Sequence, residues 1–346
     1  MKSWDVSIVG AGIIGVSLAV ELRQRGATVL LLDRAEAGSE ASSAAAGMLA
    51  AADPETPEAL RPLVIASARI FPAFVQQVEA AGEMQVGFRR IGTIALLPEN
   101  VAQPEYRSLT FAELQRLEPS VHAARHSAFF VQEDSVDPFL LMRAALAAAQ
   151  KRGVEIRAHT EAAEIRRGDN AVEVVTQSDT FASRAAVDCR GAWSGAPVRP
   201  RKGQMLYVYP EASILQHVLR APEVYIVPRS AGKILIGATV EDVGFDKSVS
   251  ASTIRELQNA AAKYVPALAS APITQSWAGL RPGTPDDLPI LGRTNISGGF
   301  VATGHFRNGI LLAPITAQIM ADLIQSRPSP LDIRAFSPDR FPAARK

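Results

Sequence analysis

The segment VSIVGAGIIGVSLAVELRQRGATVLLLDR, residues 6–34, contains three glycines between two apolar runs. Val6–Val9 is short and apolar, as is typical of a buried strand, and Ile13–Arg25 carries apolar residues at helical spacing. Gly26 follows as a helix-ending residue, and Thr28–Asp33 is a second apolar run. The order strand, helix, strand predicts a β-α-β unit with its two strands in one parallel sheet.

Gly10, Gly12 and Gly15 give this unit the pattern G-x-G-x-x-G. The first glycine allows a tight turn, the second lets the backbone approach a pyrophosphate, and the third lets helix and strand pack closely. Amides at the helix N-terminus favour a negatively charged phosphate. Asp33 ends the second strand, where a carboxylate accepts hydrogen bonds from ribose hydroxyls. These features predict dinucleotide binding; the alternative is that the glycines serve packing alone. The motif does not separate FAD from NAD.

The composition narrows the class of protein. The chain has 346 residues and a formal net charge of +1, so nothing electrostatic favours a nucleic acid or an anionic membrane as a partner. Cys189 is the single cysteine, which excludes an internal disulfide and fits a reducing compartment. Asp5 argues against a signal peptide, and no uncharged apolar run reaches the ~20 residues that span a bilayer. We therefore expect a cytoplasmic protein.

The rest of the chain predicts antiparallel segments interleaved with further parallel-type elements. The expected elements are a helix over 56–81 that Pro72 kinks or splits, paired strands over 86–98, a strand and turn over 127–138, a helix over 138–151, a strand over 153–158, a hairpin turning at 168–170, a strand ending near Cys189, strands over 202–210 and 223–239, a helix over 252–265, and a closing strand, glycine turn and helix over 298–324. This order predicts an α/β fold rather than two separate halves.

Some segments allow two interpretations. The small residues of Ala41–Leu49 fit either a helix N-terminus capped by Ser42 or Ser43, or close passage along a cofactor. His122 and His126 lie four residues apart, but they lack the glutamate of a zinc motif and a nearby third ligand, so we predict an exposed surface and no metal site. We predict a packed thiol at Cys189.

Four further stretches, together with the glycine motif, resemble one family. They are SAAAGML (43–49), YIVPRSAGKILIGAT (225–239), SWAGLRPGTPDDLPILGR (276–293) and GHFRNGILLAP (304–314). They are similar to the D-amino-acid oxidase superfamily of flavoproteins, in particular its glycine oxidases, over nearly the whole chain. The resemblance implies noncovalently bound FAD and a Rossmann-like FAD-binding domain (1–84, 138–198, 272–346) interleaved with an antiparallel substrate-binding domain (85–137, 199–271).

Arg281 stands just past an apolar run, where a guanidinium needs an anionic partner, and the planar fork of a guanidinium matches a substrate carboxylate. The resemblance implies that role for Arg281, with Tyr225 donating a hydrogen bond to the same carboxylate. The alternative is a salt bridge from Arg281 to Asp286 or Asp287. Arg307 matches a family arginine near the substrate entrance, although a helix cap at the surface is an alternative.

The resemblance assigns roles residue by residue. The catalytic residues are Tyr225, Arg281 and Arg307, and the substrate-binding residues are these three with Met48. Met48 matches a residue close to the flavin ring, with core packing as the alternative. The expected cofactor-binding residues are Gly10, Gly12, Ile13, Ile14, Gly15, Asp33, Arg34, Ser42, Ser43, Gly47, Met48, Ala162, Gly191, Trp193, Gly304, His305, Arg307, Asn308, Gly309 and Ile310. The backbone amides of 304–309, at the start of the last helix, are expected to stabilise negative charge on the reduced flavin.

Two positions depart from the family pattern. Val240 stands where glycine oxidases often have a methionine near the active site, which leaves the pocket shape and the substrate size open. Cys189 and Arg190 replace small residues, and the sequence gives no role for Arg190.

The implied reaction is FAD-dependent oxidative deamination of glycine or a small relative, sarcosine or D-alanine, to an imine. Water then yields the 2-oxo acid and ammonia, oxygen becomes hydrogen peroxide, and the product supplies thiamine thiazole synthesis. One alternative is a D-amino-acid or sarcosine dehydrogenase that uses a quinone or an electron carrier. Another is a nonenzymatic flavin-binding module. The family also implies a homotetramer.

Overall fold

The computed structural model describes residues 3–99, 101, 106–123, 126–329 and 331–341. In these residues the strands are β1 (Trp4–Val9), β2 (Val29–Leu32), β3 (Met48–Leu49), β4 (Thr93–Pro98), β5 (Arg107–Leu109), β6 (His126–Val131), β7 (Asp134–Ser135), β8 (Glu155–Arg157), β9 (Ala162–Arg167), β10 (Val172–Thr176), β11 (Thr180–Asp188), β12 (Arg199–Val208), β13 (Val218–Arg220), β14 (Tyr225–Pro228), β15 (Ile234–Gly237), β16 (Ile273–Gly283), β17 (Ile290–Arg293) and β18 (Gly299–Thr303). The helices are α1 (Ile13–Gln24), α2 (Ala41–Ala44), α3 (Arg61–Gly82), α4 (Phe111–Leu117), α5 (Pro138–Lys151), α6 (Ala251–Tyr264) and α7 (Gly309–Ile324).

The first sheet is built around the N-terminal β-α-β unit. Its strand order is β17-β18-β11-β1-β2-β8, and β1 pairs in parallel with both β2 and β11. Strands β9 and β10 form a hairpin that joins this sheet through the antiparallel pairing of β10 with β11. Helices α1, α3, α5 and α7 pack over this sheet, with side chains such as Leu18 and Met320 fully buried. Because both faces of its central strands are covered, β1 and β2 are almost continuously apolar.

The second sheet has the order β16-β12-β15-β14-β13-β4-β6-β5, and all its pairs are antiparallel except β13 with β4. One face carries residues such as Leu206, Ile226 and Ile236, which pack with Ile254 and Leu257 of α6. The alternate residues point to the opposite face, as the two-residue period of a strand requires. The strands of the two sheets alternate along the chain, which confirms the expected α/β class with interleaved antiparallel segments.

Some local predictions were wrong. The segment 86–98 does not form paired strands, because β4 pairs instead with β6 and β13, and Arg89 makes only an isolated bridge to Ser135. Helix α3 begins at Arg61 rather than near Thr56, and it continues through Pro72 without being split. These partners are distant in sequence, so local patterns do not contain them.

The domain boundaries stay a prediction. By pairing, β16 belongs to the second sheet, since it runs along the whole length of β12. A boundary at residue 272 would instead assign β16 to the FAD-binding domain. We propose a division by sheets, which moves that boundary to the end of β16.

No helix within the described residues combines the length and the apolar character that crossing a bilayer requires.

Candidate active site

A cavity of about 490 Å³ lies between the two sheets. Its wall on the first sheet is made where parallel strands end: Val9 closes β1, Asp33 follows β2, Cys189 follows β11 and Thr303 closes β18. Carboxyl ends of neighbouring parallel strands are the usual ligand-binding edge of such a sheet. The cavity-facing side of the second sheet forms the opposite wall.

The glycine motif shapes one end of this cavity. Gly10 has a φ of +107°, and a Cβ there would lie 2.4 Å from the carbonyl oxygen of Cys189. A Cβ at Gly15 would lie 2.0 Å from the oxygen of Gly10, so this glycine allows α1 to pack on the turn. A Cβ at Gly12 would meet only Ser42 Oγ, at 3.2 Å, and Gly12 lines the cavity. Gly10 and Gly15 therefore serve the tight turn and the close packing that the pattern predicts, and the approach of a pyrophosphate to Gly12 stays a prediction.

Two side chains hold the turn after β1. The amide of Ala11 donates to Asp33 Oδ2 at 2.7 Å, and the amide of Ile13 donates to Ser42 Oγ at 2.9 Å. Burial raises the pKa of Asp33, although its bonds from backbone amides oppose the rise. The remaining first-turn amides of α1 have no acceptor within the helix, which leaves donors for an anionic ligand.

The next part of the cavity carries a stack of side chains. The Arg34 guanidinium lies 3.9 Å from the centroid of the Trp193 ring, and Trp193 contacts Phe245 at 5.4 Å between centroids. Arg34 and Lys247 both pair with Glu40, each at 2.9 Å. Lys247 and Phe245 belong to the loop after β15, so this loop contacts side chains of the cavity wall.

Arg190, whose role is not evident from the sequence, has a structural role. Its Nη2 lies 2.8 Å from Asp188 Oδ2 at the end of β11, and its Nε donates to the other carboxylate oxygen at 3.0 Å. Ser194 also donates to Asp188, at 2.9 Å. The pair fixes the turn that carries Gly191 on the cavity wall. Cys189 is buried, as expected of a packed thiol, and burial raises its pKa.

The small residues of 41–49 first form a short helix and then follow the cavity wall. Ala41–Ala44 forms the short helix α2, whose capping position is Glu40 rather than Ser42 or Ser43. Residues 44–48 then run along the cavity wall until β3 pairs with β7. Trp277 Nε1 donates to the oxygen of Ala44 at 3.1 Å, which fixes this segment against β16.

Strand register explains the wall formed by the second sheet. Met205, Gly237 and Tyr225 are opposite one another on β12, β15 and β14. Two residues before Met205 on β12, Gly203 is opposite Gly279 on β16. Since alternate residues share a face, these positions form one continuous surface toward the cavity.

The glycines of this surface make room for two polar side chains. A Cβ at Gly203 would lie 2.2 Å from Arg281 Nη1, and a Cβ at Gly237 would lie 2.7 Å from the hydroxyl of Tyr225. Both side chains therefore lie flat across neighbouring strands, and they converge over β15. Burial raises the pKa of Tyr225, although the charge of Arg281 and a hydrogen bond with it oppose the rise. The phenol is thus protonated at neutral pH and can donate.

Arg281 has no carboxylate partner within the part of the chain that the structure describes. Its Nη1 donates to the backbone oxygen of Thr239 at 3.1 Å. The alternative of a salt bridge to Asp286 or Asp287 is wrong, because Asp286 pairs with Arg340 at 2.8 Å and Asp287 is exposed. The half-buried guanidinium therefore faces the cavity with its charge uncompensated.

The GHFRNG stretch forms the rim between the sheets. Arg307 lies in a 3₁₀ turn before α7 and pairs with Glu55 at 2.6 Å, with 48% of its side chain exposed. His305 is buried, and its Nε2 lies 3.1 Å from Thr316 Oγ1. Burial lowers the pKa of His305 to about 3, so the imidazole is neutral at physiological pH.

Most of the residues expected at the site line this one cavity. Those that do are Gly10, Gly12, Ile13, Ile14, Asp33, Arg34, Ser42, Gly47, Met48, Ala162, Gly191, Trp193, Tyr225, Arg281, His305, Arg307, Asn308, Gly309 and Ile310. Gly15, Ser43 and Gly304 do not line it. Gly15 packs on Gly10, Ser43 donates to the oxygen of Gly38 at 2.6 Å, and Gly304 supplies a turn with a φ of +74°.

A polar group beside Tyr225 was not predicted from the sequence. Arg220 is opposite Tyr225 in the ladder of β13 and β14, and it lines the cavity with Tyr106 and Asp53. Arg220 donates to the hydroxyl of Tyr106 at 2.9 Å, and its Nη1 lies 3.4 Å from the buried Glu133. Burial raises the pKa of Glu133, and Arg220 opposes the rise. An arginine one strand from Tyr225 is visible in sequence only once the strand pairing is known.

Other expected features lie away from this cavity. His122 is exposed, and His126 lies in β6 against the ring of Tyr264. A search of the described residues finds no group of three or more His, Cys, Asp or Glu side chains that could hold a metal ion.

Val240 lines the cavity, and 43% of the residue is exposed. Its effect on substrate size stays a prediction.

The cavity fits a dinucleotide flavin in shape and chemistry. Glycines stand where a side chain would project into it: no atom lies within 4 Å of a Cβ built on Gly191, and Gly12 meets only a flexible serine. The helix N-terminus of α1 and the carboxylate of Asp33 supply a phosphate site and a hydroxyl acceptor. The buried rim at His305 and the second sheet enclose the other end.

Comparisons with known proteins show what this chain is similar to. The family model described as FAD dependent oxidoreductase matches residues 5–323. A glycine oxidase of Geobacillus kaustophilus is 36% identical over 96% of this chain and 96% of that protein. The bifunctional protein ThiO/ThiG of Trichormus variabilis is 36% identical over 97% of this chain, but the chain spans only 55% of that protein. A crystal structure of glycine oxidase from Geobacillus kaustophilus superposes with a TM-score of 0.94 and 33% identity, covering 99% of this chain and 100% of that one.

Two glycine variants separate cofactor binding from stability. In Gly12→Ala the new methyl group meets no backbone but projects into the cavity, so we expect FAD affinity to fall by at least about tenfold with little change in the free energy of unfolding. In Gly15→Ala the methyl group meets the Gly10 oxygen, so we expect a loss of roughly 1–3 kcal/mol of stability. Flavin titration of the apoprotein and urea unfolding measure the two effects. Equal loss of stability in both variants would contradict this assignment.

His305 should make stability depend on pH. Its pKa in the folded protein, about 3, lies below the ordinary value of 6.5, so the unfolded chain binds the extra proton between these values. The free energy of unfolding should therefore fall as pH is lowered from 6.5 toward 3, by on the order of 1.4 kcal/mol per pH unit from this residue. His305→Gln keeps a polar contact to Thr316 but does not titrate, so its slope should be shallower in urea unfolding from pH 6.5 to 4. Parallel slopes would show that His305 is not held neutral.

Proposed function

Since the chain belongs to the family of FAD-dependent oxidoreductases, we propose that it oxidises glycine or a small relative such as sarcosine or D-alanine. For glycine the overall reaction is glycine + O₂ + H₂O → glyoxylate + NH₃ + H₂O₂. FAD is the cofactor of this family. This confirms the cofactor that the glycine motif and the resemblance led us to expect. We propose that it is bound noncovalently.

One observation supports this proposal above the others, namely the uncompensated guanidinium of Arg281 beside the Tyr225 hydroxyl. A guanidinium presents a planar fork of donors that fits a carboxylate. The protonated phenol of Tyr225 supplies one more donor to the same group. Together they specify a small carboxylate whose remaining atoms extend into the cavity.

When bound, FAD supplies the two-electron oxidation by accepting a hydride from the substrate α-carbon and passing electrons to oxygen. Ser42, Asp33 and the amides of α1 would hold its phosphate and ribose end. Residues 46–48 and the rim at His305 would border its ring end. These assignments follow from which residues line the cavity.

The residues of the chain orient the substrate rather than exchange protons with its carbon. Arg281 and Tyr225 fix the carboxylate, so the α-carbon is held at a defined distance from the wall formed by residues 46–48. This wall, formed by Ala46, Gly47 and Met48, brings no charged side chain to the reacting carbon. A substrate with a neutral amine then needs no strong base from the protein.

A role in thiamine thiazole synthesis is a proposal that the bifunctional relatives support. The chain spans about half of their length. We also propose a cytoplasmic homotetramer, on the resemblance and the single cysteine.

Anaerobic mixing of the purified holoprotein with glycine, sarcosine and D-alanine tests the reaction. We expect at least one of them to bleach the flavin absorbance, and air then to regenerate it with one hydrogen peroxide per amine consumed. Bleaching without peroxide in air would instead favour the dehydrogenase alternative. No bleaching by any small amine would contradict an amine-oxidising function.

Arg281→Gln tests the carboxylate site directly. Loss of charge-assisted hydrogen bonds of about 1.5–3 kcal/mol should raise KM for the amine roughly 10- to 150-fold, while the flavin content is unchanged. Arg340→Gln is a matched control, because Arg340 pairs with Asp286 in the turn after β16 and does not line the cavity. Its KM should stay within twofold of the wild-type value. An unchanged KM in Arg281→Gln would remove this residue from substrate binding.

A further inference from the structure

Arg229 follows β14 and stands four residues after Tyr225, on the face that Tyr225 presents to the cavity. It is buried, with 9% of the residue exposed. Its backbone amide donates to the oxygen of Lys233 at 2.7 Å, which keeps it in the hairpin with β15. This buried cation has no part in the site described above.

The guanidinium of Arg229 donates to two backbone carbonyls, and its ion pair with Asp137 is long. Nη1 donates to the oxygen of Val136 at 3.2 Å, and Nη2 donates to the oxygen of Ala46. The Asp137 carboxylate lies 3.9 Å from Nε, and Nε has no hydrogen-bond acceptor among the described residues. The side chain therefore uses its fork to join two carbonyls that lie outside its own sheet.

Those two carbonyls belong to segments that are already interlocked. The amide of Val136 donates to the oxygen of Gly47 at 2.9 Å, and a Cβ at Gly47 would lie 2.1 Å from the Val136 oxygen. Next to this contact, Met48 pairs with Ser135 where β3 meets β7. Ala46, Gly47 and Met48 all line the cavity. Arg229 thus links the strand that carries Tyr225 to the cavity wall formed by residues 46–48.

We propose that Arg229 is a positioning residue, which fixes the separation between the carboxylate anchor and the wall formed by residues 46–48. The inference rests on the proposed oxidation of a small amine, because that reaction requires the α-carbon to be held at one distance from this wall. Arg281 and Tyr225 move with the second sheet, whereas residues 46–48 do not belong to it. A displacement of about 1 Å between reacting groups can lower a rate by about 100-fold.

A neighbouring arginine provides a matched control. Arg89 donates to the oxygens of Pro228 and Gln216, at 3.2 and 3.0 Å, so it also joins two carbonyls. Neither of these carbonyls belongs to residues 46–48. Arg89→Gln should therefore cost hydrogen bonds of the same kind without releasing the cavity wall.

The test compares holoproteins of wild type, Arg229→Gln, Arg229→Lys and Arg89→Gln. In Arg229→Gln we expect anaerobic flavin reduction at saturating amine to slow at least tenfold, while the apparent substrate Kd changes less than threefold because Arg281 is intact. Hydrogen exchange of the peptide covering 44–49 should rise at least tenfold. Arg89→Gln should stay within twofold on all three measures. Arg229→Lys keeps the charge but cannot bridge both carbonyls. Its flavin should therefore be reduced at least threefold more slowly than that of the wild type.

The outcomes separate positioning from simple stability. A lower melting temperature of Arg229→Gln with wild-type reduction rate and wild-type exchange at 44–49 would overturn the proposal. If Arg229→Gln does not fold, a wild-type reduction rate and wild-type exchange in Arg229→Lys would overturn it in the same way. If wild type is reduced by no small amine, the proposed function fails, and the exchange of 44–49 still decides whether Arg229 holds that wall.

Discussion

The site depends on the positive charge of Arg281. The guanidinium lies across Gly203 on a sheet face, with one backbone acceptor and no carboxylate among the residues that the structure describes. A half-buried cation of this kind is costly without a counter-ion, so the site favours an anionic ligand. The glycines of β12 and β15 and the phenol of Tyr225 maintain this arrangement.

The two sheets contribute different chemistry to one cavity. The first sheet ends in tight turns, a helix N-terminus and the Asp33 carboxylate, which suit a dinucleotide. The second sheet is a flat surface, on which strand register brings Arg220, Tyr225 and Arg281 to one side. Residues 46–48 lie between them, held by Arg229 and by the contact of Gly47 with Val136. The proposed cofactor site on the first sheet and the proposed substrate site on the second sheet therefore face one cavity.

Local sequence predicted the features that depend on local chemistry. The β-α-β unit, its glycines and Asp33 are found within one short segment, so spacing alone identified them. The prediction of paired strands over 86–98 was wrong because the partners of β4, β6 and β13, lie far along the chain. For the same reason the space above Gly203 and Gly237, the polar group around Arg220 and the pairing of Asp286 with Arg340 could not be predicted. Each depends on register between distant strands, which a single sequence does not contain.

A crystal structure of the FAD-loaded protein with glycolate, a small carboxylate that lacks the amine, would show where the carboxylate binds. We expect the carboxylate to bind Arg281 through both of its oxygens, with the Tyr225 hydroxyl on one of them and the α-carbon facing the flavin ring. A carboxylate bound instead at Arg307 or Arg220, with Arg281 turned away from the cavity, would contradict it.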